Sequence, residues 1–498
     1  MATRPEPDDL SPPADWSAPE RRLWSAFRNG SMLDLRTGIA VDDDPVDGAA
    51  WGPERQISAH VIALLLLDGP PANPGKVRAL RVTGARVTGE LDLTSAAIDC
   101  EIDFDACSFS DALSLRHATT LAVYLQGSHL PELSAEALRC PGLDMRDAVV
   151  EGNVWIQGSD ITLDLNLDRA KVGGWINGNL LTIGSWFNGR FGLSIGNWLS
   201  LSSARIGGVD LRQADIGHAE STQQTLGAHL LTCDTFWASD IRVAHGIILS
   251  GAQINGEAVL SKAVVHGSPS DEPAIRLDEI HARRLDIDTA RADTKSVSLR
   301  GATIGKLVDR PQGGPLLELD ALTYERLEPL PPRSTSIRLA WLKENLSGQY
   351  LPQPYEQLAA AYRVLGHDSE ARRVLRAKHR HHRSTLPCTT KIWDWLQDAV
   401  AGYGYRPALA GGWLVTLTLL GTLVFSISEP QRSEPGRGPA FNPTVYTLDL
   451  LLPIIDFGQE KAFLPASGLQ WFAYVLIALG WILATTLVAG LTRVLGRS

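Results

Sequence analysis

Between Val87 and Leu115 the apolar residues keep one spacing: an apolar residue, three spacers, another, one spacer, and a third. Val87, Leu91 and Leu93 open the series, Ile98, Ile102 and Phe104 repeat it, and Phe109, Leu113 and Leu115 repeat it again, each set 11 residues after the last. The series returns with Val150, Val154 and Ile156, then Ile161, Leu165 and Leu167, and runs on through Val172, Ile176, Ile183 and Phe187. It is clear once more at Val243, Ile247 and Leu249, followed by Ile254, Ala258 and Leu260. Over 126–142 and 215–240 it blurs, which predicts loops or irregular coils there. Within each set the local period is 2, and Gly, Asp, Asn and Ser punctuate the short runs, so strands rather than helices are expected. Strands too short to bury an apolar face alone can bury it against the next copy. The pattern therefore predicts a mainly β fold: a right-handed parallel β-solenoid over 80–310, two 11-residue units per coil. A β-sandwich is the runner-up, but its strands need no fixed step.

The flanks change period. Residues 1–53 read as largely irregular, and 54–79 as a helical N-cap, with a helix from about Glu54 to Leu67 carrying Ile57, Val61, Leu64 and Leu65 on one face. After the solenoid, 311–350 reads as an exit strand and linker. Residues 351–385 read as an αα-hairpin: Tyr355, Leu358, Ala359 and Tyr362 line its first helix, Gly366 stops it, and Asp368 caps the second. The hairpin resembles one tetratricopeptide unit, too few for a peptide groove.

Charge then vanishes twice. No Asp, Glu, Lys or Arg lies between Pro407 and Ser428, nor between Ala462 and Thr492. A bilayer crossing takes about 20 apolar residues, so transmembrane helices are expected over 407–428 and 468–491, with 429–467 as an extracytoplasmic loop. Lys and Arg concentrate before the first span and after the second, which predicts a bacterial cell-membrane protein with both termini cytoplasmic. Between hairpin and span, Ile392, Trp395, Leu396, Ala399 and Val400 follow helical spacing and predict an interfacial helix over 389–404. The expected membrane-interface residues are Lys378, Arg380, Arg383, Trp393, Trp395, Tyr403, Tyr405 and Arg406.

Composition removes other classes. The net charge of −10 argues against nucleic acid as a partner. The five cysteines follow no CxxC spacing, and no GxGxxG or GxxxxGK[ST] cradle is present, so no cofactor is expected. GLSIG at 192–196 offers Ser194 as a nucleophile, yet the residues after it read as strand where a nucleophile elbow needs a helix. Asp164, Asn166 and Asp168, or Asp103 and Asp105, could form carboxylate clusters; alternating polar residues also simply face water. His379, His381 and His382 lack a carboxylate or cysteine spaced to complete a metal shell.

PYEQLAAAYR, LGHDSEARRVLRAK, GYGYRP, DLRTG and WGPERQISAHVIALLLL together resemble a group of actinobacterial membrane-anchored proteins with a pentapeptide-like β-solenoid. That group's function is unestablished, and some members carry automatic oxidoreductase labels. The resemblance implies a cytoplasmic solenoid held at a membrane. The expected function is a non-enzymatic scaffold for protein interaction, with the lipid bilayer and an unidentified protein as partners and room for a homo-oligomer. The alternative is a channel-like or transport-associated protein with 446–459 as pore loop; an enzyme without a recognisable motif ranks third.

Overall fold

The computed structural model describes residues 11–217, 225–266, 272–288, 296–330, 335–346, 349–385, 407–433, 440–452, 455–465 and 468–495. Its contacts divide the chain into two units, 1–357 and 358–498.

In the first unit each apolar set of the sequence becomes one layer of a column. Leu91 lies beside Leu113, then Leu133, Val154, Ile176, Leu199, Leu226, Ile247, Ile275, Val297 and Leu317, every pair parallel and in register. A second column runs Leu143, Leu165, Phe187, Val209, Phe236, Ala258, Leu285, Leu307, Leu327, and a third runs Val87, Phe109 and onward through Leu130, Val150, Val172, Ile195, Ile216, Val243 and Val265. Nearly all of these side chains are sealed from solvent. The result is a parallel, right-handed β-solenoid of about 10 turns over 80–328, its faces formed by sheets of 15, 10 and 11 strands. With strands about 4.8 Å apart, it is a rod about 50 Å long.

The corners set the 11-residue step. A left-handed residue recurs about once per half-coil, and most are not glycine: Ser95, Ala106, His117, Ala137, Asp147, Arg169, Leu180, Phe191 and Ser203 all have φ between 46° and 60°. A positive φ costs an L-residue about 1–2 kcal/mol. The corner offsets it with two hydrogen bonds. At the first corner the Ala96 N–H closes a turn on the Leu93 carbonyl (3.1 Å), and the Ser95 N–H reaches the Arg116 carbonyl of the next coil (2.7 Å).

Three boundaries differ from expectation. Residues 126–142 are regular, with strands His129–Leu130, Leu133–Ser134 and Arg139–Cys140; the coil here is a residue or two shorter, which breaks the 11-step without breaking the stack. In 215–240 the strands Asp215–Ile216, Leu226–Gly227 and Thr232–Trp237 keep their register, and the extra residues fall between the first two. The rod also continues past 310: Leu316–Glu318 and Thr323–Glu328 are ordinary rungs.

The N-terminal end is closed by more than one helix. Within the stretch expected to be irregular, helix α1 (Ala18–Asn29) starts at a capping box, where the Ser17 N–H donates to Glu20 Oε2 at 2.7 Å and the Glu20 N–H donates to Ser17 Oγ at 3.4 Å. Leu33–Asp34 and Gln56–Ser58 form the first rungs against Val82–Thr83 and Arg86–Thr88. Gln56–Ser58 is thus a strand, and helix α2 runs only Ala59–Asp68. Its start is fixed by Ser58, whose hydroxyl accepts from the His60 N–H. The buried Arg55 ties these pieces together through the Gly84 carbonyl and Asp43, both at 2.8 Å, with its guanidinium 3.5 Å from the Trp51 ring centre.

At the other end α3 (Thr335–Asn345) buries Trp341 and Leu342. Its Arg338 is wholly buried and meets Asp309 through two bonds of 2.7 and 2.8 Å, then donates to the Pro329 carbonyl. Helix α4 (Pro352–Val364) begins in this unit, where Gln353 Nε2 donates to the Leu322 carbonyl.

In the second unit α4 is followed by Gly366 (φ 75°) and α5 (Asp368–Thr385), so two helices stand where the hairpin is expected; Asp368 sits in the first turn of α5 rather than ahead of it. Helices α6 (Pro407–Ile427), α7 (Pro443–Leu451) and α8 (Gln470–Leu495) follow. Phe425, Tyr446, Leu450, Leu451, Phe463, Ala473 and Leu476 form their common core. Side-chain surroundings are described for 411–427 of α6 and 470–485 of α8. Among the described residues no helix is long and apolar enough to cross a membrane. The expected interfacial helix over 389–404 lies outside the described residues.

Candidate functional site

A solenoid column that buries every second residue must send the residues between them outward. On the 15-stranded sheet this places Trp186, Gly208 and Thr235 on successive rungs, with Asp210 beside Trp237 two residues on. A Cβ on Gly208 would lie 2.4 Å from the Trp186 ring, so only glycine lets the indole lie flat across that rung. Laid over, Trp186 reaches Trp237 two rungs away, with ring centres 5.1 Å apart. Arg212 stands 5.0 Å over the Trp237 ring and is held by Asp210 at 2.6 Å. The Trp237 Nε1–H donates to Glu257 Oε1 (2.9 Å), Glu257 pairs with Arg284 (3.0 Å), and Arg284 with Asp286 (3.0 Å). Asp168, almost fully buried, holds Arg190 at the upstream edge (2.8 Å).

A second aromatic series lies on the 11-stranded sheet. Trp175 and Trp198 stack with an interplanar angle of 7° and centres 5.7 Å apart, and Trp155 meets Trp175 edge-on at 5.6 Å. Trp155 Nε1 donates to Glu132, whereas Trp175 Nε1 is buried with no hydrogen-bond partner among the described residues. Sequence reasoning passes over both series. The available signal is GGWING at 173–178 and GSWFNG at 184–189, the same six-residue frame 11 residues apart.

The candidate chemistry read from the sequence disperses over this surface. Ser194 belongs to the two-residue strand Ser194–Ile195, between Lys171 and Asp215 on the neighbouring rungs, with no helix after it. Asp164, Asn166 and Asp168 do not converge: Asp164 accepts the Trp186 N–H, Asn166 accepts the Asp168 N–H, and Asp168 is taken by Arg190. Asp103 and Asp105 do sit close together. Burial, then the charges of Asp105 and Glu101, push the Asp103 carboxyl up to about 6. Cys107, Cys140 and Cys233 are buried, and desolvation pushes their thiols up to about 12; Cys100 goes to about 11. Such thiols are inert at neutral pH. His379, His381 and His382 lie along α5, and no metal-holding group of His, Cys, Asp and Glu occurs among the described residues.

Of the expected interface residues, Lys378, Arg380 and Arg383 lie on α5, Arg380 exposed and the other two half-buried. Trp393, Trp395, Tyr403, Tyr405 and Arg406 fall outside the described residues. Set against family models, curated proteins and solved structures, the chain matches none.

Proposed function

We propose that the protein is a membrane-anchored scaffold: α6 and α8 lie in a lipid bilayer, and the solenoid offers a fixed protein-binding face on the cytoplasmic side. The observation that carries the reading is where the second unit puts its apolar side chains. Leu419 is 67% exposed, Ile427 77% and Trp471 76%, and Val415, Leu423 and Val475 are open as well. Such a surface is unfavourable in water, and an exposed apolar expanse of this kind marks a protein or membrane contact. The stretches 407–428 and 468–491 hold no Asp, Glu, Lys or Arg, and a charge-free run of about 20 residues is the sequence property that lipid burial takes. The six Arg and Lys residues of α5 suit the anionic leaflet. On the solenoid, Trp186, Trp237 and Arg212 are the residue types that dominate protein interfaces, mounted on a scaffold that cannot shift them.

Full-length protein in liposomes should stay with the lipid through an alkaline wash, and Leu419→Asp with Leu423→Asp should release it; retention of that variant would overturn the anchor. Crosslinking in native membranes should yield a partner band that Trp186→Ala with Trp237→Ala removes and Ser194→Ala leaves. Ion flux through protein-loaded liposomes would overturn the scaffold in favour of a channel.

A further inference from the structure

The outward side chains of the 15-stranded sheet stand in columns, and the two ends of those columns carry opposed charge. Counted from Leu80–Thr83 as the first rung, Trp186 lies on the sixth, Gly208 on the seventh, and Thr323–Glu328 is the twelfth. The column of Trp186 and Gly208 has Glu101 on the second rung and Lys306 on the eleventh. The column two residues on has Arg81 on the first rung and Glu328 on the twelfth. Each end thus holds one ion pair across the two columns: Arg81 with Glu101 at 2.9 Å, and Lys306 with Glu328 at 2.8 Å. Between the ends, acid and base have exchanged columns. All four side chains are open to solvent, from 31% to 50%.

A two-fold axis lying across the face between the sixth and seventh rungs keeps each column on itself. It exchanges the first rung with the twelfth and the second with the eleventh. Glu101 then meets Lys306 of a second copy and Arg81 meets its Glu328, so that four charges alternate in sign. Two residues further along the strands, Asp105 meets Arg310 of the second copy. Trp186, laid over Gly208, sits at the axis and faces its own counterpart. The like charges nearest the axis, Arg190 and Arg212, each keep a buried aspartate, Asp168 and Asp210. Sliding by one rung sets acid on acid, Asp164 on Glu257 in one direction and Asp103 on Asp286 in the other. The face measures about 50 Å by 13 Å, near the roughly 800 Å² per partner of a stable interface.

We propose that the partner of this face is a second copy of the chain, the two solenoids lying antiparallel with their 15-stranded sheets together about that axis. The proposal rests on the protein-binding reading above. An isologous contact of this kind closes at two copies. Opposed charges at both ends set its register, and the central indoles supply the buried anchor.

The test uses full-length Cys388→Ser protein in phosphatidylcholine–phosphatidylglycerol liposomes; Cys100, Cys107, Cys140 and Cys233 are buried. A chain with Glu101→Cys and a differently tagged chain with Lys306→Cys are co-expressed. Within one chain these positions are nine rungs, about 43 Å, apart, so a disulfide between them joins two copies. Oxidation should give a dimer bearing both tags, and none from either variant expressed alone. Arg81→Glu in the first chain should cut the yield at least about fivefold, and Glu328→Arg in the second should restore it. Dimer from Glu101→Cys alone, or failure of Glu328→Arg to restore the yield, overturns the antiparallel pair. No two-tag dimer, while native membranes still give the band that Trp186→Ala with Trp237→Ala removes, overturns the second copy and leaves the protein-binding face standing. Absence of both the dimer and that band overturns both.

Discussion

The solenoid and the α6–α8 cluster both carry many apolar side chains, yet they turn them in opposite directions. In the solenoid Leu133, Val154, Ile176 and Leu199 face inward, wholly buried, and the surface between them is salt-bridged Asp, Glu and Arg. In the cluster a small core around Phe425 and Tyr446 is surrounded by outward Leu, Val and Trp. The difference is one of backbone supply. Each solenoid coil satisfies its N–H and C=O groups from its neighbours and needs apolar side chains only to fill the lumen. A helix satisfies its own backbone and can present any side chain to whatever surrounds it. Under the anchored reading proposed above, those surroundings are lipid.

If the solenoid's stability lies in closed ends and corners, removing them should hurt most. Arg338→Ala leaves Asp309 buried without its partner and should cost about 3–5 kcal/mol, read from denaturant unfolding followed by the β-sheet circular-dichroism signal. Adding Asp309→Leu should restore part of the loss; no restoration would break the view of this pair as the end latch. Ala137→Ile places a β-branched residue at φ 52°, where such residues are outliers even among L-residues, and should lower the unfolding midpoint. The same change at Thr418, an α6 residue, should leave the β-sheet transition where it is.

The smallest effect is in pH. The folded protein keeps a proton on Asp103 that the unfolded chain releases near pH 4. Its contribution is therefore fully present below about pH 4 and is lost as pH rises through about 6. Asp103→Asn should lose less stability than the parent between pH 4 and 7; identical profiles would show that the carboxyl is not held neutral.

The inward half of this comparison is legible in the sequence because the columns repeat a fixed count of residues over long stretches between Val87 and Phe187. The count fails at 126–142, where Leu113 stacks on Leu133 after a shortened coil. A fixed-step search loses a stack that hydrogen bonding does not. The corners leave no residue signature, since Ser95, His117, Asp147 and Leu180 share a backbone angle but no chemistry. Helix α1 does announce itself, in the capping sequence SAPE at 17–20, but its apolar face is only Leu23, Trp24 and Phe27. Gln56–Ser58 merges in sequence with the helix after it, because Ile57 fits a helical stripe as well as a strand. The tryptophan faces stay hidden because an outward Trp looks the same in sequence as an inward one.

Because each coil touches only the coil before and the coil after, the rod has no need of its far end in order to begin. As the chain leaves the ribosome, α1, α2 and the first rungs can settle, and every later coil finds its template already in place. The apolar helices emerge after the solenoid. By then the solenoid can already be folded, so its rungs are paired before those apolar helices appear.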